Sequence, residues 1–221
     1  YGSLEGQNIA GLHTHRLLIN EDLVTLFGYK PMFDAAFPDV PVAERYTRTT
    51  ASFALSAFLR SMLCSQAPFQ SFLKGNMSAM TEKSKAGALL FFGKAGCARY
   101  HNEPNLGSMT FQAVGVKDLF ENGGLNTSIN DRRNLGRGGF TNRTEDMYKF
   151  RVPQLYNLGD SGPYFHGGSK ATLAEAIHYF NDGIPENDRV PTSQISSFFR
   201  PLNLSATELD QLKDFIKNGL H

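Results

Sequence analysis

Apolar positions recur at helical spacing in several separated stretches, with long polar, glycine-containing connections between them. Side chains at i, i+3, i+4 and i+7 share one face of a helix, so these stretches predict amphipathic helices. Residues 45–63 predict a helix with Thr47 as N-cap and a stripe of Ala54, Ala57, Phe58, Ser61 and Met62. Residues 82–95 predict a second, with Ala86, Leu89, Leu90 and Phe92 apolar. Residues 171–181 predict a short third, carrying Leu173, Ala176, Ile177 and Phe180 on one side. Residues 205–218 predict a terminal helix. Ser205 and Glu208 form its capping box, Leu209, Leu212, Phe215 and Ile216 its apolar face, and Gly219 its stop. A weaker helical pattern surrounds residues 21–27, and residues 66–76 turn through Pro68 and Gly75. Residues 107–150 are Gly- and Asn-rich and weakly periodic, with Gly123-Gly and Gly136-Arg-Gly-Gly as turn signals. So long a connection is uncommon in a compact domain unless it is functional, wrapping a bound group or covering a partner. Strand signals are sparse and no repeat is evident. The fold class is mainly α with long loops.

The chain has 221 residues, enough to bury a core as one domain or two small ones. Its net charge of +1 gives no polyanion footprint, so nucleic acid is not an expected partner. No apolar run is long enough to span a bilayer. The opening Tyr1-Gly-Ser-Leu-Glu has neither an initiator methionine nor a signal-peptide pattern, and reads as a processed or partial chain. Two cysteines make no disulfide framework, and Cys64 reads as a small buried hydrophobe. Eighteen phenylalanines without a tryptophan suit a pocket for a large flat apolar group, and equally an ordinary core. Asn76, Asn126, Asn142 and Asn203 each open an Asn-x-Ser/Thr triplet, read as chance.

The stretch Gly93-Lys-Ala-Gly-Cys97-Ala-Arg-Tyr100-His101 adds chemistry. A c-type haem attachment site reads Cys-x-x-Cys-His: the two sulfurs bond the porphyrin vinyl groups and the histidine binds iron. Here Cys97 and His101 stand at the right separation, but Tyr100 fills the second cysteine's place and has no thiol. The chain therefore holds haem by one thioether at Cys97, or descends from a haem protein and carries none. Tyr100 either packs at the ring edge or fills the space of a lost cofactor, or is a substitution without consequence.

Three longer segments resemble the bacterial dihaem cytochrome c peroxidases, the group that includes the MauG-type enzymes. They are Gly87-Ala-Leu-Leu-Phe-Phe-Gly-Lys-Ala-Gly-Cys97 through Phe111-Gln-Ala-Val-Gly-Val; Phe150-Arg-Val-Pro-Gln-Leu-Tyr-Asn-Leu-Gly-Asp-Ser161-Gly-Pro163-Tyr-Phe-His166-Gly-Gly with Ala171-Thr-Leu-Ala-Glu-Ala; and Phe58-Leu-Arg-Ser-Met-Leu-Cys-Ser-Gln-Ala-Pro68-Phe. Ser3-Leu-Glu-Gly-Gln7 resembles the end of that family's first domain. The resemblance implies two cytochrome c-like α domains, each around a haem, with calcium between them. The N-terminal haem reduces hydrogen peroxide, and the C-terminal haem receives electrons from a small donor cytochrome or cupredoxin in the periplasm or another extracytoplasmic space. Residues 1–71 would be a remnant of the peroxidatic domain with the linker helix, and residues 72–221 the C-terminal haem domain.

On that resemblance His101 is the axial ligand to iron and Cys97 the thioether residue. His166 lies near the haem, more as a hydrogen-bonded group than as a ligand. The backbone carbonyls of Ser161 and Pro163 match calcium-binding positions, where hard oxygen donors suit the ion. The far-side ligand position falls on Phe180, which cannot bind iron; Tyr179 and His178 are its neighbours, and a five-coordinate iron is the alternative. The family's catalytic glutamate would fall near Leu17 or Leu18, where no carboxylate stands. His13 and His15 are pocket or metal candidates, or solvated loop residues. Two readings follow. One is a cytochrome c peroxidase-like haem protein passing electrons towards peroxide. The other is a catalytically inactive, haem-poor structural or docking subunit of a larger extracytoplasmic assembly.

Overall fold

The computed structural model describes residues 3–122 and 128–221; Gly123, Gly124 and Asn126 lie outside them. The chain forms two compact units, residues 1–63 and 64–221. Among the described residues no helix is long and apolar enough to cross a membrane.

The first unit holds α1 (Ser3–Thr14), α2 (Glu21–Leu26), α3 (Lys30–Ala36), α4 (Val42–Arg45) and α5 (Arg48–Ser61). Asn20 caps α2 by accepting from the Leu23 amide at 3.0 Å. Thr47 caps α5 and shares a capping box with Thr50. The buried face of α5 is not the expected stripe. Thr50, Ala51, Ser52 and Ser56 are buried, while Phe58 and Met62 are 61% and 55% exposed. The Ser52 and Ser56 hydroxyls donate to the Thr49 and Ser52 carbonyls at 2.7 Å, so both can be buried without an orphaned polar atom. Their small size lets α1 lie against α5, where the Asn8 amide also donates to Ser56 Oγ at 2.9 Å.

The second unit holds α6 (Pro68–Leu73), α7 (Glu82–Phe92), α8 (Arg137–Thr141), α9 (Leu173–Asp182) and α10 (Ala206–Asp214), the last prolonged by one wide turn over Phe215–Gly219. Residues 66–76 are thus more than a turn: Pro68 sits in the first turn of α6, where its missing N–H costs nothing. The expected capping box of α10 is present, and α9 begins with another formed by Thr172 and Glu175. Helix α7, capped by Thr81, stops at Phe92 because Gly93 leaves helical geometry. Its inward face is turned from the expected one: Leu89 is 78% exposed and Phe91 fully buried. One residue of offset is about 100° of rotation. Gly87 explains the register, because a Cβ there would lie 2.0 Å from the Gln211 carbonyl oxygen of α10. The close α7–α10 crossing seats Phe91 against Phe215, ring centroids 5.5 Å apart, and Phe69 completes the cluster at 5.1 Å from Phe215.

Between α7 and α9 the long connection is pinned rather than regular. A two-residue ladder pairs β1 (Phe111–Gln112) with β2 (Phe150–Arg151), antiparallel, Phe111 opposite Arg151. Fully buried Asn134 accepts from the Leu119 amide at 2.9 Å and donates to the Ser128 carbonyl at 3.2 Å, tying three points of the loop together.

Candidate functional site

The end of α7 sets the site. Gly96 takes a left-handed conformation (φ 65°), which turns the chain into the short helical turn Cys97–Arg99. The His101 amide donates to the Cys97 carbonyl at 3.0 Å, an i to i−4 bond. The two side chains therefore stand one helical turn apart, on the same side, and both face one cavity of about 910 Å³. Burial pushes the Cys97 thiol up to about 12, so it is a neutral thiol. His101 is part-buried, and burial pushes its imidazolium below the usual histidine range. Its Nδ1 lies 2.8 Å from the Leu106 carbonyl oxygen. A carbonyl only accepts, so Nδ1 carries the proton and Nε2 of the neutral ring keeps the lone pair. An imidazole that donates from one nitrogen to a backbone acceptor and keeps its lone pair on the other is the usual metal-binding form; the Pro153 carbonyl is a second backbone acceptor beside this ring.

The cavity wall suits a large flat apolar group. Helix α9 contributes Leu173, Ala176, Ile177 and Phe180; the terminal helical region adds Leu212 and Ile216; the loops add Val114, Leu155, Phe199 and Leu202. Its volume lies at the upper end of ordinary ligand pockets, roughly 300–1,000 Å³. Basic side chains at its border, Lys94, Arg99, Arg151 and Arg200, suit acidic substituents. A neutral imidazole with an unprotonated Nε2, a thiol one turn away and an apolar chamber together fit a c-type haem.

Tyr100 also lines this cavity, half-buried. Its hydroxyl hydrogen-bonds Ser196 Oγ at 3.1 Å, and its ring stands edge-on to Phe198 at 5.8 Å. On α9, Phe180 faces the cavity while its neighbours do not. The Tyr179 hydroxyl donates to the Val114 carbonyl at 2.6 Å, its ring packs among Phe165 and Phe199, and His178 is exposed.

His166 is in the wall, its ring stacked on Phe150 with centroids 3.9 Å apart. Burial lowers its pKa to about 4, so the ring is neutral. Next to it stands Asp118, fully buried, whose Oδ2 accepts from Arg189 Nη1 at 2.5 Å. Burial pushes the Asp118 carboxyl above the usual range, and Arg189 offsets part of that rise. No sequence signal marked Asp118, Arg189 or Ser196, which lie singly in loops without a motif. Ser161 and Pro163 reach the cavity border and are exposed. Among the described residues no group of three His, Cys, Asp or Glu side chains could hold a metal ion. In the first unit, Glu5 pairs with Arg60 at 2.6 Å, Gln7 is exposed, and His13, His15, Leu17 and Leu18 are exposed. His13 Nδ1 lies 3.4 Å from Arg48 Nη1, a solvated contact.

No protein-family model matches the chain. It is 31% identical over 204 residues to methylamine utilization protein MauG of Methylorubrum extorquens, covering 90% of this chain and 51% of that one. It is 30% identical over 207 residues to cytochrome-c peroxidase IdrP1 of Denitromonas iodatirespirans, covering 85% and 54% respectively. It is 28% identical over 171 residues to cytochrome c551 peroxidase of Pseudomonas aeruginosa, covering 77% and 47%. A solved MauG-like protein associated with microbial copper homeostasis superposes with a TM-score of 0.70 at 26% identity, covering 97% of this chain and 61% of that one. The chain spans about half the length of the curated relatives it matches.

Proposed function

The chain belongs to the family of the bacterial cytochrome c peroxidases and MauG proteins, and we propose that it is an electron-entry haem domain holding one haem c through a single thioether. The observation that supports this most is the placing of Cys97 and neutral His101 on one side of a turn, facing one apolar cavity. The haem, when bound, supplies a one-electron redox centre. Cys97 would hold the porphyrin by one thioether, its S–H having added across a vinyl group so that one C–S and one C–H bond replace the S–H bond and the vinyl π bond. His101 would hold the iron through Nε2, and its Nδ1–H···O bond to Leu106 orients the ring and raises its basicity. Phe180 offers iron no donor atom and, with Leu173 and Ile177, keeps water from that wall. Tyr100, anchored to Ser196, closes the place of the second thioether.

In the same reading, the protein is extracytoplasmic. A small cytochrome or cupredoxin supplies its electrons, and hydrogen peroxide is reduced at a haem domain other than this one. Ser161 and Pro163 would contribute backbone oxygens to a calcium ion whose remaining donors come from elsewhere. The packing of Tyr100 against Phe198 also supports the other reading, a haem-poor docking subunit. A chamber of about 910 Å³ favours the haem reading, because a fold that had dispensed with its cofactor would gain by closing that space. The test is the absorption spectrum of the chain produced in a host that attaches c-type haem. A Soret band that is lost or shifted in His101→Ala supports the proposal; a wild-type chain without one removes it.

A further inference from the structure

Two buried polar atoms of the cavity wall have no hydrogen-bond partner: Asp118 Oδ1 and His166 Nε2. They face each other at 3.9 Å, too far for a direct hydrogen bond and close enough for an ion pair. Orphaned buried polar atoms cost on the order of 1–3 kcal/mol each, so two that point at one another call for an explanation. Asp118 is otherwise fully engaged. Its Oδ2 takes Arg189 Nη1, and its amide donates to the Glu121 carboxylate. Arg189 balances the Asp118 charge, and the Glu121 carboxylate beside it leaves the cluster one negative charge in excess while His166 is neutral. The imidazole is stacked flat on Phe150, which fixes the plane in which Nε2 lies.

We propose that Asp118 and His166 form a proton-binding site of the haem cavity, empty in the resting cavity and filled when the cavity gains a further negative charge. This rests on the haem reading above. When a one-electron donor reduces the cavity's iron, His166 Nε2 takes one proton from solvent, and the imidazolium pairs with Asp118 Oδ1. One electron and one proton enter together, no other bond is made or broken, and reoxidation returns the proton. The charged groups around the pair are Asp118, Arg189 and Glu121; of these, Asp118 faces the imidazole with a free oxygen.

The experiment is a spectroelectrochemical titration of the haem-loaded chain at several pH values, with His166→Gln and Asp118→Asn beside the wild type. The wild-type midpoint potential should fall as pH rises, by up to about 59 mV for each tenfold drop in proton activity in a one-electron couple. His166→Gln should flatten that slope. Asp118→Asn should move its bend to lower pH, since the imidazolium loses its counter-ion. A flat wild-type profile, or a slope unchanged in His166→Gln, overturns the proposal. NMR titration of the haem-free chain tests the pair separately: the His166 midpoint should fall in Asp118→Asn, and an unmoved midpoint overturns the pairing. Absence of a Soret band counts against the haem reading and leaves the NMR result decisive for the pair.

Discussion

Cys97 and His101 could be paired in the sequence because their spacing along the chain is enough to bring them to one side of a turn. Four residues make one helical turn, and the structure supplies that turn. Tyr100 was legible as an anomaly, but its surroundings were not: the Ser196 hydroxyl that holds it is 96 residues away. Replacing Tyr100 with cysteine should restore the second thioether, seen as a blue shift of the pyridine haemochrome band. A band at the wild-type position would show that residue 100 does not face a vinyl group. His166 gives a second outcome at this level. Its pKa is about 4 in the fold and about 6.5 unfolded. Between those values the unfolded chain binds more protons, so stability falls as pH drops from about 6.5 towards 4, by on the order of 3 kcal/mol. Urea denaturation of the haem-free chain across that window should show the loss, and His166→Gln should reduce it. Asp118 illustrates what a sequence hides, since a lone aspartate in a loop carries no mark of burial.

Among the elements, caps were read more securely than faces. The Ser205–Glu208 box and the Thr47 cap depend on local spacing and stand as expected. The inward faces of α5 and α7 depend on what packs against them. Serines that satisfy their own hydroxyls, and a glycine under a neighbouring carbonyl, displaced the more apolar side chains outward. The face of α9 was legible because Leu173, Ala176, Ile177 and Phe180 meet a cavity rather than a close-packed helix. Gly87→Ala is the direct check on the α7–α10 crossing. The added methyl should cost about 1–3 kcal/mol as overpacking, and lower the melting temperature by several degrees. An unchanged melting temperature would mean that the two helices do not approach so closely. Phe215→Ala, at a fully buried ring, should cost about 3–5 kcal/mol in the same assay.

For the molecule as a whole, everything assigned to haem binding lies within residues 64–221, and so does the entire cavity. That fragment alone should therefore retain the haem spectrum of the full chain. Haem should also raise the melting temperature of either form, because the tethered porphyrin is buried in the chamber and ligated by His101 only in the folded state. The mainly α class was legible from periodicity, and the family from motif-bearing segments. The chamber itself was not, because its wall is drawn from loops and helices more than a hundred residues apart. The most direct measurement is the intact mass of the chain from a host that attaches c-type haem, compared with Cys97→Ala. The result expected is the polypeptide plus one haem, reduced to bare polypeptide in the variant. A wild-type mass of polypeptide alone, or a haem that stays covalently bound in Cys97→Ala, would contradict attachment through this single sulfur.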